Sequence, residues 1–472
     1  GLRFATPEAA SGEADVVIGP RSALFAPVQR LGLVVLDEVH DSSYKQDDPI
    51  PAPSYHARDA AVALGRIAGA AVLLGSATPD MVTYFRAAGR PGQAGASYRL
   101  LELTQRILPP TGSGPADFAP LPPVRLVDLR QELRAGNRGI FSRALEEALR
   151  HTLEAGEQAI LFLNRRGSAT FVLCRDCGAV ARCPACELPL THHALPAEEL
   201  EVTQARPAAG VLICHHCNRR QPPPRTCPAC GGRRIRYFGL GTEKVEEAVR
   251  QAWPDARLLR WDSDTASGLD HARFLETFVA GRADVLIGTQ MIAKGLDLPR
   301  VTLVGVVSAD TALHLPDYRA SEQTFQMLTQ VAGRAGRSHR GGQVVVQTYN
   351  PEHYAIQAAA QHDYRSFYRQ EIAYRRHLGY PPFSRLVALR YSHPEAPRAR
   401  VESERLGSWL AAEIRRLGLA ATLIGPAPCF YSRLAGRSRW QIVIRARDPM
   451  PLLRDLVLPL GWQVDVDPVS LL

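Results

Sequence analysis

Short apolar runs rich in β-branched residues recur along the chain, and between them lie stretches whose apolar residues repeat at helical spacing. Runs at 33–36, 71–74, 159–163, 257–262, 283–288 and 301–307 predict strands. The segments at 60–68 and 142–155, and the one carrying Val245, Ala248, Val249 and Ala252, predict helices packed by one face. Continuous apolar strands alternating with amphipathic helices predict an α/β fold with parallel sheets. A further strand and Gly-Pro turn are expected in DVVIGPRSALF at 15–25, with Arg21 and Ser22 opening a helix. After residue 349 the pattern changes to helices over 355–378, a strand at 385–392, a long helix at 397–417 and a Gly-containing turn feeding a strand in RLAGRSRWQIVIR at 433–445.

Where these runs end is more informative than the runs themselves. LVVLDEVHD at 33–41 delivers Asp37 and Glu38 to the carboxyl end of a buried parallel strand, the edge at which open α/β sheets bind ligands. In a nucleoside triphosphatase the first acid holds Mg²⁺ through its water shell and the second orients the attacking water. A strand ending in ordinary solvated acids has the same local pattern. The next strand, however, ends in Gly75-Ser76-Ala77-Thr78 and brings hydroxyls to the same edge, which favours catalysis. Between them, DSSYKQDDPIPAPSYHAR offers Tyr44, Lys45, Tyr55 and Arg58 as stacking faces and cations for nucleic acid. Arg21, at a Gly-Pro turn, is a candidate phosphate contact, and so is Thr289 at the end of the 283–288 strand. The GTQMIAKGLDLP segment brings Gly295 and Asp297 close to a nucleotide. In QVAGRAGR, Gln330, Arg334 and Arg337 stand at i, i+4 and i+7, so a helix would project all three from one face towards a γ-phosphate, with the arginines as fingers. Near the C-terminus Arg437 and Trp440 suit backbone contact and stacking on DNA.

Eight of the nine cysteines form four Cys-x-x-Cys pairs: Cys174/Cys177, Cys183/Cys186, Cys214/Cys217 and Cys227/Cys230. Each pair can aim two thiolates at one ion, and a closed tetrahedral zinc site needs two pairs, so two structural zinc ions are expected. Spacing leaves all three pairings of knuckles open. Cys429 is expected in a core. The net charge of +9 favours a polyanionic partner, and 46% hydrophobic with 22% charged residues is the balance of a globular protein. No apolar run approaches the roughly 18 residues of a membrane span, and a cytoplasmic protein is expected.

DEVHDSSYKQ, LGSATP, LFLNRRG, GTQMIAKGLDLP and QVAGRAGR, interrupted by the four Cys-x-x-Cys pairs, together with LGYPPF and IGPAP further on, resemble the PriA family of primosomal replication-restart helicases within superfamily 2. The resemblance implies two RecA-like lobes, the first incomplete here, a zinc-binding insertion in the second, and a C-terminal α+β domain that binds branched DNA. The expected boundaries are 1–104, 105–171 (linker and start of the second lobe), 172–236 (insertion), 237–348 and 349–472. It also implies an ATP- and Mg²⁺-dependent 3′-to-5′ helicase that recognises stalled forks and reloads the replicative helicase. Primosome proteins, the helicase loader and single-stranded DNA-binding protein are the implied partners. His40, Gly295, Asp297 and Gln330 fall at nucleotide-contacting positions. The implied zinc pairing is nested, Cys174/Cys177 with Cys227/Cys230 and Cys183/Cys186 with Cys214/Cys217, and the loop around 44–58 becomes the coupler between single-stranded DNA and ATP hydrolysis. Three departures stand out: Val39 replaces the family's second Glu; Pro49, Pro51 and Pro53 stand where a Trp is expected; and no G-x-x-x-x-G-K-[ST] phosphate loop occurs. That loop is expected upstream of Gly1, and the chain alone is expected to bind ATP poorly. A fork-binding scaffold that does not hydrolyse ATP is the alternative expectation.

Overall fold

A computed structural model describes residues 14–46, 54–89, 97–107, 118–164, 170–194, 210–238, 241–262, 271–289, 298–335, 341–454 and 456–472. These fall into two compact units, 1–100 with 465–469, and 101–464 with 470–472.

In the first unit, Leu33–Leu36 pairs in parallel with Ala71–Leu74. Ala57–Ala68 packs on this two-stranded sheet, burying Val34, Leu36, Val39, Ala57 and Ala61 in one cluster. Its ends are conventional: His56 accepts from the Arg58 amide at the start, and Gly69 in the left-handed region closes it. Asp80 caps the next helix, Met81–Ala88, by accepting from two of its amides. The carboxylate strand is buried on one face only, because Leu33 and Val35 are both 56% exposed. The strand expected at 15–18 does not form among the described residues. Val16 and Ile18 stand in solvent, and Arg21–Phe25 is a single 3₁₀ turn with no side-chain cap, not an α-helix.

The second unit is built on six parallel strands in the order Leu258–Trp261, Val285–Gly288, Gln158–Leu163, Val301–Ser308, Gln343–Thr348 and Val124–Asp128. Every residue of Gln158–Leu163 and of Val301–Ser308 is buried. Helices Arg143–Glu154 and Thr242–Ala252 place Leu145, Leu149, Val245 and Val249 against the sheet, closing the main core. Within the expected linker, Arg106–Ile107 pairs with Phe118–Ala119, and residue 124 already starts the edge strand. A short helix, Asp310–Leu313, follows the strand Val301–Ser308.

The cysteine-bearing insertion has its own antiparallel sheet, ordered Arg220–Gln221, Gly210–Ile213, Thr191–Ala194, Thr170–Cys174 and Ile235–Phe238. The last of these pairs with the strand that leads into the first cysteine, so the insertion closes on itself before the chain returns. Beyond residue 349, Tyr354–Ala360 and Tyr364–Leu378 lead to a sheet ordered Ala421–Leu434, Arg437–Ala446, Arg385–His393 and Trp462–Val466. The long helix Ala396–Arg416 packs on that sheet. Ala435 and Gly436, at φ 48° and 76°, form a two-residue hairpin turn of the kind that matches strand twist.

Candidate catalytic site and metal centres

The tip of the carboxylate strand is held by its neighbour strand. The Gly75 amide donates to Leu36 O at 2.8 Å and the Val39 amide to Gly75 O at 3.0 Å, so the two chains stay paired past the end of the regular ladder. This pairing turns Val39 into the core at 2% exposure. Glu38 sits at φ 48°, a left-handed conformation unusual for a side chain with a β-carbon, and its amide donates to Asp37 Oδ1 at 2.9 Å. Asp37 is exposed and Glu38 half-exposed. One Glu38 oxygen lies 3.5 Å from His40 Nδ1, and that nitrogen is 2.7 Å from Ser76 Oγ. Ser76 Oγ in turn accepts from the Thr78 amide at 3.0 Å. The structure therefore joins the polar tips of both strands, as their sequences suggested, through His40.

Several candidate DNA contacts in this unit are occupied by internal work. Tyr44 donates its hydroxyl to Asp37 O at 2.6 Å, and burial followed by the Asp37 charge raises its pKa. Arg21 donates to the carbonyls of Ser43 and Lys45 at 2.8 and 2.7 Å and so clamps the loop. Lys45 is buried, with its ammonium 3.1 Å from Asp465 and donating to Val466 O at 2.5 Å. Arg58 is also buried. It bonds to Asp80 at 3.1 Å and Thr83 Oγ1 at 2.9 Å, and although burial works against its charge, Asp80 and then Asp59 outweigh that and raise its pKa. Lys45 and Arg58, both expected to face DNA, are thus buried against carboxylates within this unit. Tyr55 is half-buried, edge-on to Phe25 with ring centroids 5.1 Å apart. Pro49, Pro51 and Pro53 lie outside the described residues.

In the second unit the helix expected to carry the arginines, Ala320–Ala332, ends before them. Gly333 is its cap, and the Arg334 and Ala335 amides turn back to Val331 O and Ala332 O at 3.0 and 3.1 Å. Gln330 is in the last turn, whereas Arg334, 6% exposed, follows the helix. The single helical face expected for the three residues is not formed up to Ala335. Arg337, Gly295 and Asp297 lie outside the described residues. Thr289 is buried at the end of its strand, and Cys429 is in the core as expected. Sequence reasoning missed a buried ionic cluster at the start of this helix. Arg375 bonds to Glu322 and to Glu371, each at 2.7 Å, while Arg319 also reaches Glu322 and Tyr354 donates to Glu371 at 2.6 Å. Two cations balance two anions there, and Arg375 lies over the Tyr318 ring. The traces in the sequence were the i, i+3 spacing of Arg319 and Glu322 and the i, i+4 spacing of Glu371 and Arg375. At the far end, Trp440, expected to stack on DNA, is buried in the C-terminal sheet. Arg437 is exposed beside the hairpin turn and donates to Ser392 O at 3.0 Å.

The cysteines form two groups, Cys174/Cys177/Cys227/Cys230 and Cys183/Cys186/Cys214/Cys217, with all sulfurs of a group within 4.8 Å of one another. This is the nested arrangement. All four knuckles share one backbone device. The amide of the residue four beyond the first cysteine returns to that cysteine's carbonyl, and this residue has positive φ: Gly178, Glu187, Asn218 and Gly231. Pairs of sulfurs across knuckles are 3.6 to 3.7 Å apart. The edge of a tetrahedron with thiolate–zinc bonds is about 3.8 Å, so the donors fit a single such ion in each group. Burial and then the neighbouring sulfurs push Cys177 and Cys214 up to about 12, so gathering four thiolates calls for a cation.

The chain matches the Helicase conserved C-terminal domain over residues 231–339 and the Primosomal protein N C-terminal domain over 376–469. It is 44% identical over 441 residues to the Replication restart protein PriA of Bacillus subtilis, covering 93% of this chain and 51% of that one. The PriA of Synechocystis is 41% identical, over 98% of this chain and 53% of its own. That of Treponema pallidum is 39% identical, over 97% and 65%. The chain thus spans about half to two thirds of the length of these relatives. No described helix is long and apolar enough to cross a membrane.

Proposed function

The chain belongs to the PriA family of replication restart proteins, and from that premise we propose that the complete protein is an ATP-driven, 3′-to-5′ DNA helicase that restarts stalled replication forks in the cytoplasm. The observation that carries the proposal is the paired strand tips, which set Asp37, Glu38, His40 and Ser76 at one sheet edge. Asp37 would hold the water shell of Mg²⁺. Glu38, exposed enough to reach solvent yet fixed by its backbone and by His40, would orient the water that attacks the γ-phosphate and take its proton. His40 and Ser76 tie this acid to the neighbouring strand, which gives a route by which events at one tip reach the other. On the family resemblance, Gln330, Arg334 and Arg337 are the proposed phosphate-facing residues of the QVAGRAGR segment, with the two arginines as fingers. Gly295 and Asp297 are proposed nucleotide contacts from the sequence of the GTQMIAKGLDLP segment alone.

The two cysteine groups hold structural zinc: with four thiolates each, no position is left open for chemistry. The DNA contacts proposed are Tyr55, Thr289 and the exposed hairpin Arg437, with branched and single-stranded DNA as the polyanionic partner of a chain of net charge +9. Primosome proteins, the loader of the replicative helicase and single-stranded DNA-binding protein complete the partner set. The test is strand displacement by the full-length protein on a fork with a free leading-strand end, with Arg334→Ala and Arg337→Ala alongside. Loss of unwinding with fork binding retained supports the motor and the two fingers. Unimpaired unwinding by both variants removes the finger assignment, and fork binding with no hydrolysis by the wild type replaces the motor with a scaffold.

A further inference from the structure

The four knuckles are alike in backbone, but two of them touch the rest of the second unit in different places. The Cys174–Cys177 knuckle rests on the parallel-sheet region. Arg134 and Arg130, from the helix Leu129–Arg134, donate to Asp176 O at 3.1 Å and Cys177 O at 3.4 Å. Arg175 donates to the Tyr349 hydroxyl at 2.8 Å. Gly178, which closes this knuckle, lies so near Tyr349 that a β-carbon there would come within 2.3 Å of its carbonyl oxygen.

The Cys214–Cys217 knuckle rests instead on the C-terminal domain, and the two residues inside it, His215 and His216, make every one of these contacts. His215 Nδ1 is 3.0 Å from Pro428 O, its ring meets Phe430 edge-on, and its carbonyl accepts from Gln441 at 3.4 Å. A carbonyl can only accept, so His215 carries its proton on Nδ1, and Nε2 is left to accept from His193 Nε2 at 3.0 Å. His216 Nδ1 lies 3.3 Å from Cys186 Sγ, and its Nε2 lies 3.4 Å from the Tyr380 hydroxyl. A metal-bound thiolate also only accepts. It fixes the His216 proton on Nδ1 and leaves Nε2 to accept from Tyr380. Each ring is therefore held at both of its nitrogens, and His216 is a bridge from a cysteine ligand to the C-terminal domain, in the manner of an outer-shell partner.

We propose that the two metal ions are separate mounting points: the ion at Cys174/Cys177/Cys227/Cys230 seats the insertion on the parallel-sheet region, and the ion at Cys183/Cys186/Cys214/Cys217 seats the C-terminal domain on the insertion through His215 and His216. The proposal rests on the zinc reading above and adds a division of labour to it. Loss of the second ion loosens the C-terminal segments that face His215 and His216, around 376–384 and 424–432, while the parallel sheet keeps its insertion, and loss of the first loosens the contacts at 129–135 and 347–352 instead.

The experiment is hydrogen exchange on the full-length protein, with zinc content measured on every sample. Cys217→Ser and Cys230→Ser each remove an exposed ligand of one site. His215→Phe and His216→Phe keep ring volume and all eight thiols. Expected are two zinc ions per chain in the wild type and both His variants, and one in each Cys variant. Peptides covering 376–384 and 424–432 should exchange roughly tenfold faster in Cys217→Ser and in the His variants, the effect of losing one or two buried hydrogen bonds. Peptides covering 129–135 and 347–352 should respond only in Cys230→Ser. Faster exchange in the same peptides for both Cys variants overturns the division of labour. So do His variants that retain zinc and leave 376–384 and 424–432 unchanged, and these decide the matter if Cys217→Ser does not fold. A wild type without zinc overturns the metal reading itself, a different result from either.

Discussion

The two parallel sheets are written in the same alphabet, yet they hold their strands by different means. LVVL at Leu33–Leu36 alternates exposed and buried, while QAILFL at Gln158–Leu163 is buried at every position. The second strand lies between two parallel neighbours, with helices packed on its sheet. Among the described residues the first has one neighbour and one covering helix, and the order at its tip comes from polar ties: Tyr44 to Asp37 O, the Val39 amide to Gly75 O, and His40 to Ser76. Packing thus sets the architecture of the second region, and hydrogen bonds set the geometry of the carboxylates in the first. Side chains that serve chemistry gain from this arrangement, because polar ties can fix an acid without burying it.

The contrast predicts unequal responses to truncation. Phe162→Ala should cost about 3 to 5 kcal/mol, whereas Val35→Ala should change stability by no more than about 0.5 kcal/mol. All five tryptophans lie in the second unit, so urea unfolding followed by tryptophan fluorescence reads Phe162→Ala directly. Exchange of the amides in Leu33–Leu36 reads Val35→Ala. Equal effects would erase the distinction between the sheets.

Arg58→Ala sharpens the comparison from the other side. It leaves Asp80 buried without its cation, a loss of about 3 kcal/mol that should appear as faster exchange in Ala57–Ala68 and Met81–Ala88, with the tryptophan transition unmoved. DNA affinity should be unchanged, since this guanidinium is spent internally.

Acid probes the packed region. Burial, followed by the Arg182 charge, lowers His353 to about 4 and His314 to about 3. Both fall below the unfolded value of about 6.5. Between pH 6.5 and 4 the unfolded chain therefore binds protons that the folded chain refuses. Their contribution is complete above pH 6.5 and is lost as the pH falls towards 4, by at most about 3 kcal/mol for each histidine. His353→Gln should flatten the slope of unfolding free energy against pH in that window. An unchanged slope would show that this histidine is not held neutral.

The smallest effect expected on folding is at the hairpin. Arg437→Ala should leave the unfolding curve in place and reduce the slope of log affinity against log salt for DNA by about one. Titrations at several salt concentrations measure it, and an unchanged slope would remove this residue from the DNA contacts.

The strands and the metal ligands were legible because each obeys a local rule. A buried parallel strand must be apolar throughout, and a knuckle must place two thiols two residues apart. The charged residues were not legible, for the opposite reason. Arg58 and Lys45 look the same in sequence whether they face a phosphate or a buried acid, and Lys45 finds Val466 421 residues later. Trp440 offered the same ambiguity between stacking on a base and filling a sheet. The direction of Ile235–Phe238 was hidden because alternation does not distinguish a parallel from an antiparallel partner. The end of the arginine helix, by contrast, was signalled by Gly333, and the i, i+4 reading passed over that stop.

The central claim is that Glu38, strained and tied to His40, is the acid that works on the attacking water. DNA-stimulated ATP hydrolysis by the full-length protein carrying Glu38→Gln tests it most directly. The account predicts a turnover rate lower by about 10² to 10⁴, with nucleotide affinity and the unfolding curve close to those of the wild type. Hydrolysis at the wild-type rate would contradict it.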